Sequence, residues 1–558
     1  MTHSLINNFS KKRKLAFQNA DRAEKNGSLL VALQKFASLL ENSKDDLPIW
    51  IRIGGIQIRL GQWQQAADTF SFVLTIDEHN SDALHCKAAC YIHLNKHEEA
   101  YTLVKHAIEQ APNNHFIYLT YAYLHCLLNP DRQTRLDTYK HWGEKYADPL
   151  YQTNSFPKID RTPNRKLRVG YLSGDMREHS VCFFMEPYFA NLNSNHIEQF
   201  IFSTDAREDQ YTQRIKKSVP HWFNVSLLND NQTLNLIKEN KIDILVDLSG
   251  HTEGQRLFVF ARRAAPVQVT WLGFMGTLGM KEMDYRLTDL GMDPEGSDQW
   301  YAEKLFRVDC MASYCPPQDT PLALDPPCLI NEKPTLISLN NAKKISDETF
   351  LVWKEILEKR PDATLIIHVH GHNDEEAINN ISPKLNELGL PLNQILVSPQ
   401  VPLDEFMQRG LIADIALDTF PISGGTTTLH SLWMGLPVIA FDAEDAMSAS
   451  TASTLKGLGL SEWVAKDKDD YVHITLKLMA DIDRLKKHRQ NIRKVMQTSV
   501  LMDYKARCAE LEHAFKLMWF NYLLGDSRYL HSHFDIETET VNVLKHIADI
   551  NVATGSIK

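Results

Sequence analysis

Three short stretches hold residues that could do chemistry on a phosphorylated ligand. The first is Asp418-Thr-Phe-Pro-Ile-Ser-Gly-Gly-Thr-Thr-Thr-Leu-His430, which follows the apolar run 412–417 and leads into another, 431–440. Gly424 and Gly425 let the backbone approach an anion, and a helix starting behind them aims its first N–H groups at it. Thr426, Thr427 and Thr428 add N-cap oxygens and hydroxyl donors at the same point. An ordinary strand-to-helix loop with a threonine cap has the same look, because short glycine motifs recur by chance. The second stretch, Asn340-Asn-Ala-Lys-Lys344, ends in a lysine that could reach a diphosphate. The third, Gly174-Asp-Met-Arg-Glu-His179, offers a histidine able to accept or position a proton near neutral pH. Ser249-Gly-His251-Thr252, Arg256 and the glycine loop Gly273-Phe-Met-Gly-Thr277-Leu-Gly279 add further polar groups after apolar runs. Each alone reads as capping or ordinary exposure. As a set, one per strand end, they describe a cleft enzyme.

The elements that must position them alternate. Strand-like runs at 166–173, 199–203, 242–248 and 267–272, with helical stretches such as 230–239 between, indicate a parallel sheet covered by helices over 160–327. The proline-rich patch 315–327 reads as a crossing to a second set over 328–525, with strands at 335–339, 363–368, 394–397, 412–417 and 436–441 and a helix at 346–360. Two doubly wound halves of this kind place a ligand at the carboxyl ends of their strands. Residues 526–558 form a polar extension without a readable function.

Residues 1–150 differ in texture. Gly27, Gly61 and Asn95 are 34 residues apart, as are Ala32, Ala66 and Ala100; Phe36, Phe70 and Val104; Leu40, Leu74 and Ile108; and Ala20, Gly54 and Ala88. A turn residue, a small residue where helices cross and a large apolar residue one turn later describe a helix–turn–helix unit of tetratricopeptide type. A fourth, degenerate unit covers 116–146, with Ala122 in the small column, and 131–142 loses the pattern as a cap would. Such arrays bind extended peptide or another protein, or serve only as a stabilising cap.

Composition narrows the class. Lys+Arg 60 against Asp+Glu 70 leaves a net charge of −10, which argues against nucleic acid as the main partner. The polar N-terminus reaches Lys11-Lys-Arg-Lys14 without an apolar core, so neither a signal peptide nor a membrane span is expected. Eight cysteines without a CxxC pair read as reduced thiols of a cytoplasmic protein. His368, His370 and His372 alternate along one strand end but lack a further ligand at a zinc-like spacing, and the run 466–470 reads as a solvated helix approach, so no metal is assigned.

Taken in order, these blocks resemble the soluble protein O-GlcNAc transferases, inverting GT-B glycosyltransferases with N-terminal tetratricopeptide repeats. The resemblance is carried by Leu167-Arg-Val-Gly-Tyr-Leu-Ser-Gly-Asp…His179, Ile244-Leu-Val-Asp-Leu-Ser-Gly-His-Thr252, Ala265-Pro-Val-Gln-Val-Thr-Trp-Leu-Gly273, Met283-Asp-Tyr285, Gly410-Leu-Ile-Ala-Asp-Ile-Ala-Leu-Asp-Thr419 and the Gly-Gly-Thr-Thr-Thr segment. It implies a GT-B fold, two facing Rossmann-like domains behind the repeat array. It also implies transfer of GlcNAc or a related hexose from a UDP donor to Ser or Thr of a protein recruited by the array, with no metal or other cofactor. Lys344 matches the lysine that neutralises the leaving diphosphate and His179 the histidine near the acceptor hydroxyl, as base or as positioning group. Asn341, Phe406, Arg409, Gly424, Gly425, Thr426, Thr427 and His430 match donor-side positions, with His251, Thr252, Gly273 and Thr277 as possible cleft residues. The departures gather on the nucleoside and sugar. His430 stands where the family has Asp on the ribose, Phe406 where a histidine lies against uracil, and Leu403 where a lysine is found. Ala443-Glu-Asp-Ala-Met-Ser-Ala449 replaces a segment that ends in arginine. These departures keep open a UDP-glucose or hexose transferase acting on Asn or a non-protein acceptor, and a non-catalytic scaffold.

Overall fold

The computed structural model describes residues 2–41, 44–151, 156, 159–322, 325–371, 373–443 and 445–553, with side chains described between 12 and 549. The chain divides into two compact units. One is Met1–Asn129 with Pro327–Phe406 and Thr419–Ile422; the other is Pro130–Pro326 with Met407–Asp418 and Ser423–Lys558. A division between the units falls at 326/327, near the border expected there, and the repeats share a unit with the start of the second α/β half.

The repeats are helices α1 (Thr2–Lys25), α2 (Leu29–Leu40), α3 (Leu47–Arg59), α4 (Trp63–Ile76), α5 (Ser81–His93), α6 (His97–Gln110) and α7 (His115–Leu128). Ala20, Ala88 and Ala122 are fully buried, and a Cβ on Gly54 would lie 2.5 Å from the Phe70 ring, so the small column exists because helices cross there. Gly27, Gly61 and Asn95 all take left-handed backbone, at φ 78°, 70° and 55°. Asp46, Asn80 and Asn114 form another 34-residue column. Each caps the helix after it by accepting a backbone N–H, a contact worth about 1 kcal/mol. Helix α8 (Arg132–Trp142) belongs to the second unit. The segment expected to cap the stack is thus built into the α/β body, where Tyr139 stacks on His251 at 4.7 Å and Trp142 meets the same ring edge-on.

The second unit contains β1 (Leu167–Ser173), β2 (Ile197–Ser203), β3 (His221–Asn224), β4 (Ile244–Asp247), β5 (Val267–Thr270), β6 (Tyr285–Asp289) and β7 (Lys304–Val308). They form one parallel sheet in the order β3-β2-β1-β4-β5-β6-β7. The order reverses between β1 and β4, so the crevice beyond their carboxyl ends is the ligand position of this topology. Three strands escaped the apolar pattern. β3 is half-exposed at the edge, β7 starts on an exposed lysine, and β6 carries Arg286, which is fully buried. That arginine donates to Phe274 O at 2.9 Å and Gly276 O at 3.3 Å, pinning the 273–279 loop from below.

The second Rossmann-like domain has β8 (Thr335–Ser338), β9 (Thr364–His368) and β10 (Ile395–Ser398) in the first unit, running parallel in the order β10-β9-β8. Its β11 (Ile415–Leu417), β12 (Val438–Phe441) and β13 (Val464–Ala465) lie in the second unit, also parallel and in sequence order. A repeat array followed by two parallel-sheet Rossmann-like domains is the architecture that the motifs led us to expect. The extension after Gly525 is not a free tail. Leu530 O accepts from Arg307 N of edge strand β7, Tyr529 is buried, and helix Ile536–Ala553 packs on helix Tyr504–Leu524. Among the described residues no helix is long and apolar enough to cross a membrane.

Candidate active site

The Gly-Gly turn follows β11 and opens helix Thr426–Trp433. The helix cap is Gly425, not a threonine, so the cap residue supplies no side-chain oxygen. The three threonines lie inside the helix instead, and Thr428 Oγ1 pairs with Thr451 Oγ1 at 2.7 Å. A helix N-terminus is the end that attracts an anion. The two glycines differ. A Cβ on Gly424 would sit 2.6 Å from Thr428 Oγ1, 2.9 Å from Thr427 Oγ1 and 3.0 Å from Asp418 Oδ1, whereas one on Gly425 would meet only Ser450 Oγ at 3.7 Å. Gly424 is thus demanded by packing, and Gly425 leaves space open in front of the helix. The turn is held rigid, with Gly424 N donating to Asp418 Oδ1 (2.8 Å), Thr451 Oγ1 to Gly424 O (3.1 Å) and Tyr471 Oη to the Asp418 carbonyl (2.9 Å).

One turn along, His430 is enclosed. Its Nδ1 meets Tyr314 Oη at 2.7 Å and the Phe183 ring packs edge-on at 4.8 Å. Burial lowers its pKa to about 3, so the imidazole is neutral. Phe183 lies in helix Ser180–Asn191, whose cap is His179. His430 therefore packs the helix behind the Gly-Gly turn against the helix behind His179.

His179 stands past β1, at the sheet's switch point. Its Nδ1 lies 3.4 Å from Val181 N and 3.4 Å from Asp175 Oδ1. Burial and the Arg177 charge lower its pKa to about 4. Asp175 is only 5% exposed, and its Oδ2 has no hydrogen-bond partner among the described residues. Burial raises its carboxyl to about 6 against the opposing pull of Arg177. Under the neighbouring strand end Asp247 is likewise raised to about 6 by burial, although it accepts from Ser249 N, Gly250 N and Thr270 Oγ1. Nδ1 accepts from Val181 N, so the proton of the neutral imidazole stands on Nε2, where it can donate to and orient an acceptor hydroxyl. Neither carboxylate was singled out from sequence, although an Asp four residues before His179 at a strand end was the available signal.

The remaining positions divide. Lys344 ends the single-turn helix Ala342–Lys344 after β8, and Asn341 caps that turn, its Oδ1 accepting from Lys343 N at 3.2 Å. Both belong to the first unit, with Phe406, which meets His368 edge-on at 5.9 Å. Arg409, half-buried, begins the turn Arg409–Leu411 of the second unit. Of the possible cleft residues, several are given to packing. Thr277 is buried with Oγ1 donating to Glu303, and His251 Nε2 bonds Leu278 O beneath Tyr139. Thr252 Oγ1 donates to Ser249 O, and a Cβ on Gly273 would lie 2.0 Å from Leu248 O. His370 packs near Trp63 and His93 while His368 turns to Phe406, and His372 lies outside the described residues.

The sequence profile of glycosyl transferase family 41 matches residues 148–311 and 331–511, well over half of the chain. The chain belongs to glycosyl transferase family 41. A tetratricopeptide profile matches residues 59–119 ahead of the family 41 region. A solved mutant of Thermobaculum terrenum O-GlcNAc transferase superposes with a TM-score of 0.84 at 30% identity, covering 92% of this chain and 98% of that one. Among curated relatives, the Petunia hybrida protein named "Probable UDP-N-acetylglucosamine--peptide N-acetylglucosaminyltransferase SPINDLY" is 32% identical over 396 residues, 70% of this chain and 42% of its own length. The Arabidopsis thaliana protein of the same name is 31% identical over 70% of this chain and 43% of its own. This family 41 chain thus spans less than half the length of those relatives. Within the family frame, the glycine-capped helix, the Lys344 turn and the His179–Asp175 pair all stand at carboxyl ends of strands.

Proposed function

We propose that the chain is an inverting, metal-independent transferase that moves GlcNAc or a related hexose from a UDP donor to Ser or Thr hydroxyls of protein acceptors in the cytoplasm. The glycine-capped helix start behind Gly424–Gly425 carries the reading. It presents a positive dipole end with an open approach over Gly425, which suits a diphosphate. In this mechanism the acceptor oxygen bonds to the anomeric carbon as the bond from that carbon to the phosphate oxygen breaks, inverting the centre. Lys344 and the helix end take up the charge on the departing UDP, with Thr426 and Thr427 bonding its phosphates. The low basicity of His179 favours orienting the acceptor hydroxyl, whose proton passes to a phosphate oxygen of the departing UDP. The repeat array, matched by a tetratricopeptide profile, supports recruitment of a protein or peptide.

The donor sugar has a second reading. His430, enclosed by Tyr314 and Phe183, offers no carboxylate to a ribose, and Phe406 offers a ring face where a histidine is usual. This favours a UDP-glucose or other hexose donor, on Ser, Thr, Asn or a non-protein acceptor. A panel of nucleotide sugars, read by intact mass of a co-expressed acceptor, separates the two because the mass increment names the sugar. UDP release should persist in excess EDTA and fall about 10²- to 10³-fold in Lys344→Ala. Loss in EDTA with rescue by Mn²⁺ contradicts the metal-free mechanism, and absence of turnover with every donor leaves a binding scaffold.

A further inference from the structure

The left-handed turn residue of the third repeat departs from the glycine used in the first two. Asn95 takes φ 55° where Gly27 and Gly61 take 78° and 70°, a conformation that glycine adopts without strain. Its side chain shows what the departure supplies. Asn95 is 1% exposed, and its Nδ2 donates to Ala342 O at 2.7 Å and to Ile345 O at 3.2 Å. The carbonyl between them is held as well: Tyr123 Oη of α7 donates to Lys343 O at 3.4 Å, and the His97 ring of α6 lies close to the Lys343 backbone. Burial lowers the His97 pKa to about 4, so that contact is made by a neutral ring. The turn before α6 and helix α7 of the array therefore hold the carbonyls of residues 342, 343 and 345, the turn that carries Lys344. All of these residues lie in the first unit.

We propose that the repeat array is a positioning device for Lys344, with Asn95 of the third repeat as its principal positioning residue and Tyr123 and His97 as supports. The array then acts on the donor step as well as on acceptor recruitment. The amide is suited to this because its nitrogen can serve two carbonyls at once, which neither glycine nor a carboxylate can do. The consequence for catalysis rests on the diphosphate role proposed for Lys344. Removal of residues 1–114 would then depress donor hydrolysis together with protein glycosylation, so such a truncation cannot isolate recruitment.

Asn95→Gly restores the residue of the other two repeats and should keep the array folded while releasing the turn. Asn95→Asp keeps the size and the tolerance for left-handed backbone but removes the donor. In both, we expect kcat for donor consumption to fall at least about 10-fold with acceptor KM unchanged, as misplacing a catalytic group by an ångström would. In a Lys344→Ala background, Asn95→Gly should have no further effect. Amide exchange over 340–347, where Lys344 N and Ile345 N are bonded to Asn341 O and Ala342 O, should accelerate in Asn95→Gly while α1–α4 keep their protection. Unchanged exchange there, or equal losses of kcat with and without Lys344, overturns the proposal. Wild-type protein that releases no nucleoside diphosphate from any donor refutes the proposed function instead, and the exchange measurement still decides the clamp.

Discussion

Asp175→Asn should stabilise the second unit at neutral pH while damaging turnover. Folding raises the Asp175 carboxyl from its ordinary 3.8 to about 6, chiefly by burial, with Asp247, Glu253 and Asp205 adding repulsion and Arg177 relieving part of it. A raised carboxyl favours folding only while protonated. Its contribution is complete below pH 3.8 and is lost as pH rises through about 6. The difference corresponds to about 3 kcal/mol at pH 7.5, which for a unit of this size shifts Tm by roughly 4 °C. Asparagine keeps the volume without the charge, so the gap between variant and wild type should be small at pH 4 and grow towards that value by pH 7. His179 titrates in the opposite sense, losing stability as pH falls from 6.5 to about 4. It does so in both proteins and cancels in the difference. Activity should move the other way. Removing the carboxylate charge 3.4 Å from His179 Nδ1 changes the field on the ring that orients the acceptor hydroxyl, costing about 10²-fold in kcat. Wild-type kcat/KM should rise with pH around 6, and the variant should lose that limb. The assay is calorimetric melting at half-unit pH steps paired with UDP release. A stability gap that does not vary between pH 4 and 7.5, or a variant less stable than wild type at pH 7.5, refutes the reasoning.

The two glycines of the turn should separate. Gly424→Ala forces a Cβ against Thr428, Thr427 and Asp418 and should cost about 1–3 kcal/mol of stability in a melt, whereas Gly425→Ala should melt as wild type but bind UDP more weakly by calorimetry. Tyr314→Phe removes the bond to His430 Nδ1 and should cost about 1–3 kcal/mol while leaving donor preference in the sugar panel unchanged; a changed preference would place that pair on the donor. Asp247→Asn strands up to two backbone N–H donors and should destabilise at pH 7.5, opposite in sign to Asp175→Asn and read in the same melts.

Much of the architecture was legible because the signals were periodic or continuous. A step of 34 residues returns a residue to the same place in a stacked helix pair, so Ala20, Gly54 and Ala88 announced the crossings without coordinates. Buried parallel strands such as Ile244–Asp247 read as unbroken apolar runs. β6 was hidden because Arg286 interrupts its pattern, and that arginine is tolerated in the core because Phe274 O, Gly276 O and the Asp293 carboxylate surround it. The cap at Gly425 was misread as threonine because capping depends on where the backbone turns helical, which composition only approximates.

By itself the sequence determined the repeat period, the alternation of strands and helices beyond it, and the presence of Lys344, His179 and the Gly-Gly turn after strands, because these depend on neighbours close along the chain. The tertiary structure alone decided what those residues meet. Asn95 and Ala342 are 247 positions apart and Tyr314 and His430 are 116 apart, and no local pattern reports such contacts. The charge state of Asp175 and the enclosure of His430 follow from burial, a property of the assembled fold rather than of any segment of it.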